Sequence, residues 1–259
     1  MSNKGKKIKT QFYKFSKFIN KRYKFLHKTY NNLEFVMDLK RSIYKKIYNS
    51  KDGNIDWKWH KKKFNRIALV NRLIEKTGGL NSNYLEIGCD QNELFDSITC
   101  YNKIGVDPVS GGTHKMTSDD FFKDNKKKFN VIFIDGLHEY SQVRKDALNS
   151  LDCIDENGWI AFHDFLPANY LEQHIPRLGN GWPWTGDCWK LAYELSQAKN
   201  IEFKIVEIDR GVGLMRKISA DYFVPDFSDD LLKSEFDKFL EILDELPLCN
   251  FDEAISLIG

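Results

Sequence analysis

The feature that most constrains the fold is the alternation of short apolar runs with amphipathic stretches between residues 57 and 217. The stretch Tyr140–Ile154 carries its apolar residues at helical spacing, whereas the runs before and after it have the length of buried strands. Such alternation predicts a parallel sheet with helices on both faces. The predicted strands are Tyr84–Gly88, Lys103–Asp107, Phe129–Asp135, Trp159–Phe162, Ile201–Ile208 and Val212–Arg216. The last two, joined by a tight turn, predict an antiparallel hairpin at the edge of the sheet.

Charge divides the chain into three parts. Residues 1–66 hold 20 Lys and Arg against 4 Asp and Glu, whereas residues 221–259 hold 11 Asp and Glu against 2 Lys. We therefore divide the chain into a basic helical N-terminal extension (1–56), a central domain (57–219) and an acidic helical tail (220–259). A helix is also predicted from Trp57 to Lys76, where the central domain begins.

The composition excludes several classes of protein. No run of about 18 apolar residues is present, which argues against a transmembrane helix. The lysine-rich N-terminus is not followed by an apolar signal core, which favours a cytoplasmic location. The five cysteines are scattered and form no CxxC pair, which argues against a disulfide framework or a structural zinc site.

The two ends of the chain are predicted to be helical. Aromatic residues spaced among lysines predict two N-terminal helices, the second at Leu33–Tyr48. These helices could pack on the core or on a second subunit, lie on the inner surface of an anionic membrane, or bind nucleic acid, which is the least favoured partner. The tail predicts one helix over Ser228–Glu245, whose opposite charge would allow it to pack near the basic extension. Its inward residues would be Leu231, Leu232, Phe236, Phe239, Leu240 and Leu243.

Polar or ionisable residues follow each of the first four predicted strands. In an open parallel sheet these strand ends meet at one edge, where ligands bind. Gly88 would allow close approach of a ligand, and Asp107 is placed to accept hydrogen bonds from ribose hydroxyls. The sequence lacks the G-x-G-x-x-G that seats a pyrophosphate, and Glu86 and Asp90 would repel one. A cationic sulfonium fits better, so the pattern favours S-adenosylmethionine over a dinucleotide.

Several segments of the chain resemble motifs of a known enzyme family. Four segments resemble successive motifs of class I S-adenosylmethionine-dependent methyltransferases: Tyr84–Gly88, Gly105–Pro108, His114–Phe122 and Val131–His138. More narrowly, four others resemble the macrocin-type sugar O-methyltransferases: Asp135–Tyr140, His163–Asp164, Gly186–Lys190 and Asp209–Gly213. The resemblance covers about Trp57 to Lys217. It implies a Rossmann-like, seven-stranded, mostly parallel sheet with helices on both faces.

The resemblance also implies roles in cofactor binding. Glu86 and Gly88 would lie near the methionine part of S-adenosylmethionine, and Asp107 would bind its ribose. Ser118 and Asp119 would border the adenine. Asp135, at the end of its strand, would lie near the reacting centre.

For the transfer step, the resemblance implies that His138 is the general base and that Asp135 and Asp164 are ligands of Mg²⁺. The position of His163 is usually a carboxylate in the metal-dependent sugar enzymes. Because Mg²⁺ prefers oxygen ligands, this difference leaves the metal open, and His163 could instead be a second base or contact the substrate. A sugar hydroxyl is a weak nucleophile that needs a base within reach.

The expected function is therefore O-methylation of a sugar in a surface polysaccharide or its precursor. Trp182 and Trp184 could form a wall for the acceptor, and His174 and Arg177 could meet a phosphate or nucleotide on it. Three alternatives remain open. One is an RNA methyltransferase, one is a non-catalytic subunit that keeps the fold, and one is a dehydrogenase.

Overall fold

The computed structural model describes residues 42–43, 53–177 and 183–259. The predicted N-terminal helices lie outside these residues except at residues 42–43, which are helical, and Trp182 also lies outside them. The described part forms one seven-stranded sheet in the order β2-β1-β3-β4-β6-β5-β7. The strands are β1 Asn83–Ile87, β2 Asn102–Val106, β3 Phe129–Ile134, β4 Ile154–Phe162, β5 Ile201–Val206, β6 Val212–Lys217 and β7 Leu248–Cys249. Only β6 runs antiparallel to its neighbours, so the predicted mostly parallel sheet is confirmed.

Nine α-helices are present within the described residues. They are α1 Arg66–Thr77, α2 Glu93–Ser97, α3 Ser118–Asp124, α4 Tyr140–Cys153, α5 Tyr170–Gln173, α6 Trp189–Ser196, α7 Ser228–Leu231, α8 Phe236–Ile242 and α9 Phe251–Ile258. None of the helices in this part of the chain is long and apolar enough to cross a membrane.

The apolar run of β3, residues 131–134, follows from its burial on both faces. Val131 and Phe133 pack in a cluster with the apolar face of α1. Ile132 and Ile134 pack on the opposite face of the sheet, in a cluster that includes residues of α4, α6 and α8. A strand covered by helices on both faces favours apolar residues at successive positions, which is why this run shows no alternation.

The first helix of the central domain is shorter than predicted. It begins at Arg66, where the side chain of Asn65 accepts a hydrogen bond from the backbone N–H of Ile67. Residues 57–65 do not join it, since the Trp57 indole donates a hydrogen bond to the carbonyl of Pro167 at 3.1 Å. That tertiary contact holds the segment against a distant loop, which helical spacing alone does not reveal.

Two predictions for the C-terminal part are wrong in detail. The β5–β6 hairpin is antiparallel as predicted, but it does not form the edge, because β7 pairs with the outer side of β5. The single tail helix is two helices, α7 and α8, separated at residues 232–235. As a result Leu232 and Leu240, which were expected to face inward, are 58% and 39% exposed. The division of the sequence at residues 219 and 220 stays a proposal.

The sheet brings five loops to one edge. The loops after β1, β2, β3 and β4 leave the carboxyl ends of parallel strands. The turn between β5 and β6 reaches the same edge, because Phe162 at the end of β4 pairs with Gly213 near the start of β6. Ligand sites of open sheets lie at this edge.

Candidate active site

A cleft of about 1290 Å³ opens at this edge of the sheet. Nearly all of the site residues predicted from the sequence that the structure describes line it: Glu86, Gly88, Asp107, Ser118, Asp119, Asp135, His138, His163, Asp164, Arg177 and Trp184. The exception is His174, which is buried beside the cleft with Nδ1 2.9 Å from the carbonyl of Pro176.

Gly88 allows the first loop to lie directly against the third strand. Its φ is +85°, and a Cβ at this position would overlap the carbonyl oxygen of Asp135. The position therefore excludes other residues for both conformational and steric reasons. The close approach creates a cradle of bare backbone between the end of β1 and the end of β3.

The carboxylate of Asp107 is fully engaged by the backbone. One oxygen accepts hydrogen bonds from the N–H groups of Cys89 and Asp90, both at 3.0 Å, and the other from those of Val109 and Ser110, both at 2.8 Å. Burial opposes ionisation, but these four hydrogen bonds outweigh it and lower the pKa of Asp107. A carboxylate offers about four lone-pair positions, so Asp107 ties the first two loops together. Its role towards ribose stays a prediction.

Glu86 is a buried acid beneath the first loop. It is 2% exposed, and the hydroxyl of Tyr84 donates a hydrogen bond to it at 2.5 Å. Burial raises the pKa of Glu86 to about 7, despite the opposing effect of the Tyr84 hydrogen bond. The charge of nearby Asp135 adds to the rise.

Ser118 and Asp119 lie at the start of α3 and are held by a residue that the sequence did not suggest. The side-chain amide of Gln142, on α4, donates to Ser118 Oγ at 3.2 Å and to Asp119 Oδ1 at 3.0 Å. It also lies 3.1 Å from Asp146 Oδ1, one turn further along α4. Burial raises the pKa of Asp146 to about 6. Gln142 follows the predicted base by four positions but belongs to no motif, so no sequence signal identified it.

Two histidines and two carboxylates meet at the other end of the cleft. His138 places Nε2 3.3 Å from Asp135 Oδ1 and Nδ1 3.0 Å from Asp164 Oδ2. His163 lies deeper, with Nδ1 3.2 Å from Asp135 Oδ1 and 3.5 Å from Asp164 Oδ2. The side chain of His138 is 21% exposed and that of His163 only 6%, so His138 is the ring that a substrate can reach.

The electrostatics of this cluster follow from its buried carboxylates. Burial disfavours the charged imidazole of His138, but its contacts with Asp135 and Asp164 prevail and raise its pKa to about 10. The pKa of His163 is raised for the same reason. Burial would raise the pKa of Asp135 and Asp164, yet the two imidazoles hold both below their usual range. A cation bound by the carboxylates would compete with this pairing and return the His138 pKa towards neutrality.

Trp184 orients the exposed histidine. Its indole stacks on the His138 ring, with centroids 5.0 Å apart and planes 3° apart. The indole nitrogen donates a hydrogen bond to the carbonyl of His174 at 2.9 Å, and the guanidinium of Arg177 lies 5.6 Å from the ring centroid. Trp184 therefore contacts the predicted base directly, in addition to lining the cleft.

Arg66 and Asp209 complete the buried side of the cluster, and neither was predicted as a site residue. Asp209 Oδ1 faces His163 Nε2 at 3.6 Å, while Asp209 Oδ2 accepts a hydrogen bond from Arg66 Nη1 at 2.8 Å. Asp209 belongs to a segment noted only for its family resemblance. Arg66 stands 143 positions away in sequence, where no local pattern marks it.

The cluster also has the composition of a metal site. One donor atom each from Asp135, His138 and Asp164 lie within 4.8 Å of one another. Asp164 is 2% exposed, and its Oδ1 has no hydrogen-bond partner in the described part of the chain. A buried, unpartnered carboxylate oxygen beside a second carboxylate fits a divalent cation.

The sequence matches a family model described as a methyltransferase domain over residues 92–165. This match confirms the prediction of a methyltransferase. No curated protein matches the sequence.

Solved structures of similar fold are distant in sequence. The SAH-bound methyltransferase PaMTH1 of Podospora anserina is 16% identical, with a TM-score of 0.40 over 73% of this chain and 97% of that one. The sugar N-methyltransferase KedS8 of Streptoalloteichus is 12% identical, with a TM-score of 0.42 over 65% and 95%. MycE of the mycinamycin biosynthetic pathway, in complex with Mg, SAH and mycinamycin VI, is 12% identical, with a TM-score of 0.41 over 66% and 55%.

Proposed function

We propose that this chain, which carries a methyltransferase domain, transfers a methyl group from S-adenosylmethionine to a hydroxyl of a sugar or sugar-containing acceptor. The acceptor would be a surface polysaccharide or its precursor. The observation that carries the proposal is the cluster at the end of the cleft, where the accessible His138 ring lies between Asp135 and Asp164. An imidazole can take a proton from a hydroxyl once a cation held by its two carboxylate partners lowers its raised pKa.

The residues at the other end of the cleft fit the cofactor. Gly88, just after β1, lines the cleft with bare backbone, and Ser118 and Asp119 also border the cleft. S-adenosylmethionine would supply the methyl group, carried on a sulfonium whose positive charge suits the acidic lining of Glu86, Asp90 and Asp135.

His138 would act as the general base. One ring nitrogen, released from its carboxylate, would accept the proton of the acceptor hydroxyl as the hydroxyl oxygen takes the methyl group, and the carboxylate at the other nitrogen would stabilise the resulting imidazolium. Trp184 would fix the plane of the ring, so that the base meets the hydroxyl in one orientation. The remaining acceleration would come from holding the hydroxyl in line with the methyl group.

Asp135 and Asp164 would hold a divalent cation, for which the sequence predicts Mg²⁺. A bound cation lowers the pKa of a coordinated hydroxyl and so assists its deprotonation. The sugar class of the acceptor rests on the resemblance of Asp135–Tyr140, His163–Asp164 and Asp209–Gly213 to the macrocin-type enzymes. Arg177, near Trp184, would meet a phosphate if the acceptor is a nucleotide sugar.

Calorimetric titration with S-adenosylhomocysteine tests the cofactor assignment. We expect micromolar binding, measured with EDTA and with added divalent cation. Sugars and nucleotide sugars would then be screened as methyl acceptors by mass spectrometry. Absence of S-adenosylhomocysteine binding under every condition would overturn the proposal and favour a non-catalytic role for the fold.

A further inference from the structure

We propose that this site selects a first-row transition-metal ion over Mg²⁺, because His163 is a metal ligand that Asp209 and Arg66 hold in place. The inference deepens the proposed function and rests on it for the site's role in methyl transfer. It assigns the deep histidine to the metal and leaves the accessible histidine for the acceptor. The chemical class of the ion is Mn²⁺, Fe²⁺, Co²⁺ or Zn²⁺.

The position of His163 is that of a ligand. Its Nδ1 lies 3.2 Å from Asp135 Oδ1 and 3.5 Å from Asp164 Oδ2, so one ring nitrogen lies close to an oxygen of each carboxylate. Adjacent ligands of an octahedral ion with bonds of about 2.1 Å lie about 3 Å apart. The two nitrogen-to-oxygen distances are therefore close to those between adjacent ligands of a bound ion.

One buried carboxylate oxygen beside these atoms lacks a partner. Within the part of the chain that the structure describes, Asp164 Oδ1 has no hydrogen-bond partner. Asp164 is 2% exposed, so solvent does not satisfy this oxygen. Buried polar groups without partners are rare in native proteins and mark places where a ligand completes the structure.

Asp209 provides the support that a metal-bound histidine needs. A ligating histidine commonly donates its other ring N–H to a carboxylate, which fixes the tautomer and the ring orientation. Asp209 Oδ1 stands 3.6 Å from His163 Nε2, slightly beyond hydrogen-bond distance, and a small rotation of the ring would close the gap. Asp209 itself is held by Arg66, through Nη1 at 2.8 Å and the backbone N–H at 3.2 Å. Asp209 is therefore a positioning residue.

The donor set determines which ion is preferred. Mg²⁺ is bound almost entirely by oxygen ligands, whereas an imidazole nitrogen suits the later first-row ions. His163 introduces such a nitrogen between two carboxylates. His138 also lies near both carboxylates, but it is the more exposed ring and is stacked on Trp184, so it remains available to the acceptor.

Metal binding to the full, metal-free chain tests this assignment without measuring activity. We expect calorimetry to show Mn²⁺ and Co²⁺ binding at least about 10-fold more tightly than Mg²⁺. The visible absorption of bound Co²⁺ would report nitrogen coordination. His163→Asp, which supplies a carboxylate at the same position, should reverse the preference in favour of Mg²⁺ and change the Co²⁺ spectrum.

Three further variants distinguish a residue that binds the metal from one that only positions a metal ligand. Asp209→Asn should weaken Co²⁺ binding about 10- to 100-fold through loss of ring orientation. His138→Ala should not weaken metal binding, since His138 is not assigned to the ion and its imidazole competes with a cation for the two carboxylates. Asp119→Asn, the same chemical change at the opposite end of the cleft, is the matched control and should leave metal affinity unchanged. Circular dichroism would verify folding, and Asp209→Asn carries the test if His163→Asp does not fold.

Three results would overturn the inference. One is tighter binding of Mg²⁺ than of Co²⁺ by the unmodified chain, and another is loss of metal binding in His138→Ala but not in His163→Asp. The third is absence of binding by every ion. In each case S-adenosylhomocysteine titration in EDTA would still report separately on the proposed function, so failure of the metal assignment is distinguishable from failure of the cofactor assignment.

Discussion

The two ends of the cleft differ in how their polar groups are satisfied. At the end proposed to bind the nucleoside, here called the nucleoside end, Asp107 receives four backbone hydrogen bonds, and Gln142 holds Ser118 and Asp119. At the end proposed for methyl transfer, here called the transfer end, Asp164 Oδ1 is buried without a hydrogen-bond partner in the described part of the chain. The polar groups of the first end are satisfied by the chain itself, whereas the second holds a carboxylate oxygen that the described residues leave unpaired.

Backbone strain does not distinguish the two ends. Asp90 and Asn92, with φ of 43° and 64°, lie beside the nucleoside end, and Asp164 and Asp209, with φ of 63° and 45°, lie at the transfer end. Left-handed residues other than glycine are common at functional sites, and here such residues lie at both ends of the cleft. The difference lies in hydrogen bonding, so substitutions at the two ends should produce different measurable effects.

The largest expected effect is that of His138→Ala at the transfer end. Loss of the general base should lower turnover by about 10²- to 10⁴-fold. The affinity for S-adenosylhomocysteine should change little, because that ligand is proposed to bind at the other end. Steady-state rates with the identified acceptor, compared with calorimetric affinity, would measure the two effects separately. Full activity in the variant would remove His138 from the role of base.

The next largest effect concerns Glu86 and pH. An acid whose pKa is higher in the folded state than in the unfolded state favours folding most when it is protonated. For Glu86 the pKa rises from 4.5 to about 7, so its contribution to the free energy of unfolding should fall as pH rises between these values. The shift corresponds to about 3 kcal/mol.

Glu86→Gln should remove this dependence, since the amide oxygen can still accept the hydrogen bond from Tyr84. Urea unfolding of both proteins at pH 5 and pH 8 would show the unmodified chain losing about 2.5 kcal/mol relative to the variant, since a small part of the loss has already occurred at pH 5. Parallel stability curves for the two proteins over this range would show that Glu86 ionises at its ordinary pKa.

The positions of His138 and Glu86 show which parts of the site could be predicted from the sequence. The strand ends could be predicted because short, mostly apolar runs mark β1 and β3, and Glu86, Gly88, Asp135 and His138 lie in or just after these runs and line one cleft. The pairing of Arg66 with Asp209 could not be predicted, because it joins residues 143 positions apart through a tertiary contact.

The two wrong helix predictions, at Trp57 and in the C-terminal tail, have the same physical origin. The predicted helix from Trp57 fails because the indole binds the carbonyl of Pro167, and the predicted tail helix fails because its sequence turns at residues 232–235. Helical spacing reports local periodicity but not the contacts that interrupt it. Likewise, an acid placed after β2 predicts a ribose ligand, whereas the four backbone hydrogen bonds to Asp107 emerge only in three dimensions.

Asp107→Asn should have an intermediate effect, at the nucleoside end. The amide group would place N–H donors against two backbone N–H groups, and the charge that strengthens all four hydrogen bonds would be lost. We expect a loss of about 2 kcal/mol in the free energy of unfolding and weaker S-adenosylhomocysteine binding. Urea unfolding and calorimetry would measure these. Weaker binding with unchanged stability would instead indicate that the carboxylate serves the ribose directly.

The smallest effect should come from Trp184, where the structure offers two roles. If the indole orients His138, Trp184→Leu should lower kcat by about 3- to 10-fold with little change in KM, in line with the typical free energy of an aromatic stack. Trp184→Phe keeps a ring against the imidazole and should retain most of the kcat. If the indole instead stacks on the sugar, both variants should raise KM and leave kcat nearly unchanged. Measuring the two parameters over a range of acceptor concentrations therefore decides whether Trp184 serves the base or the acceptor.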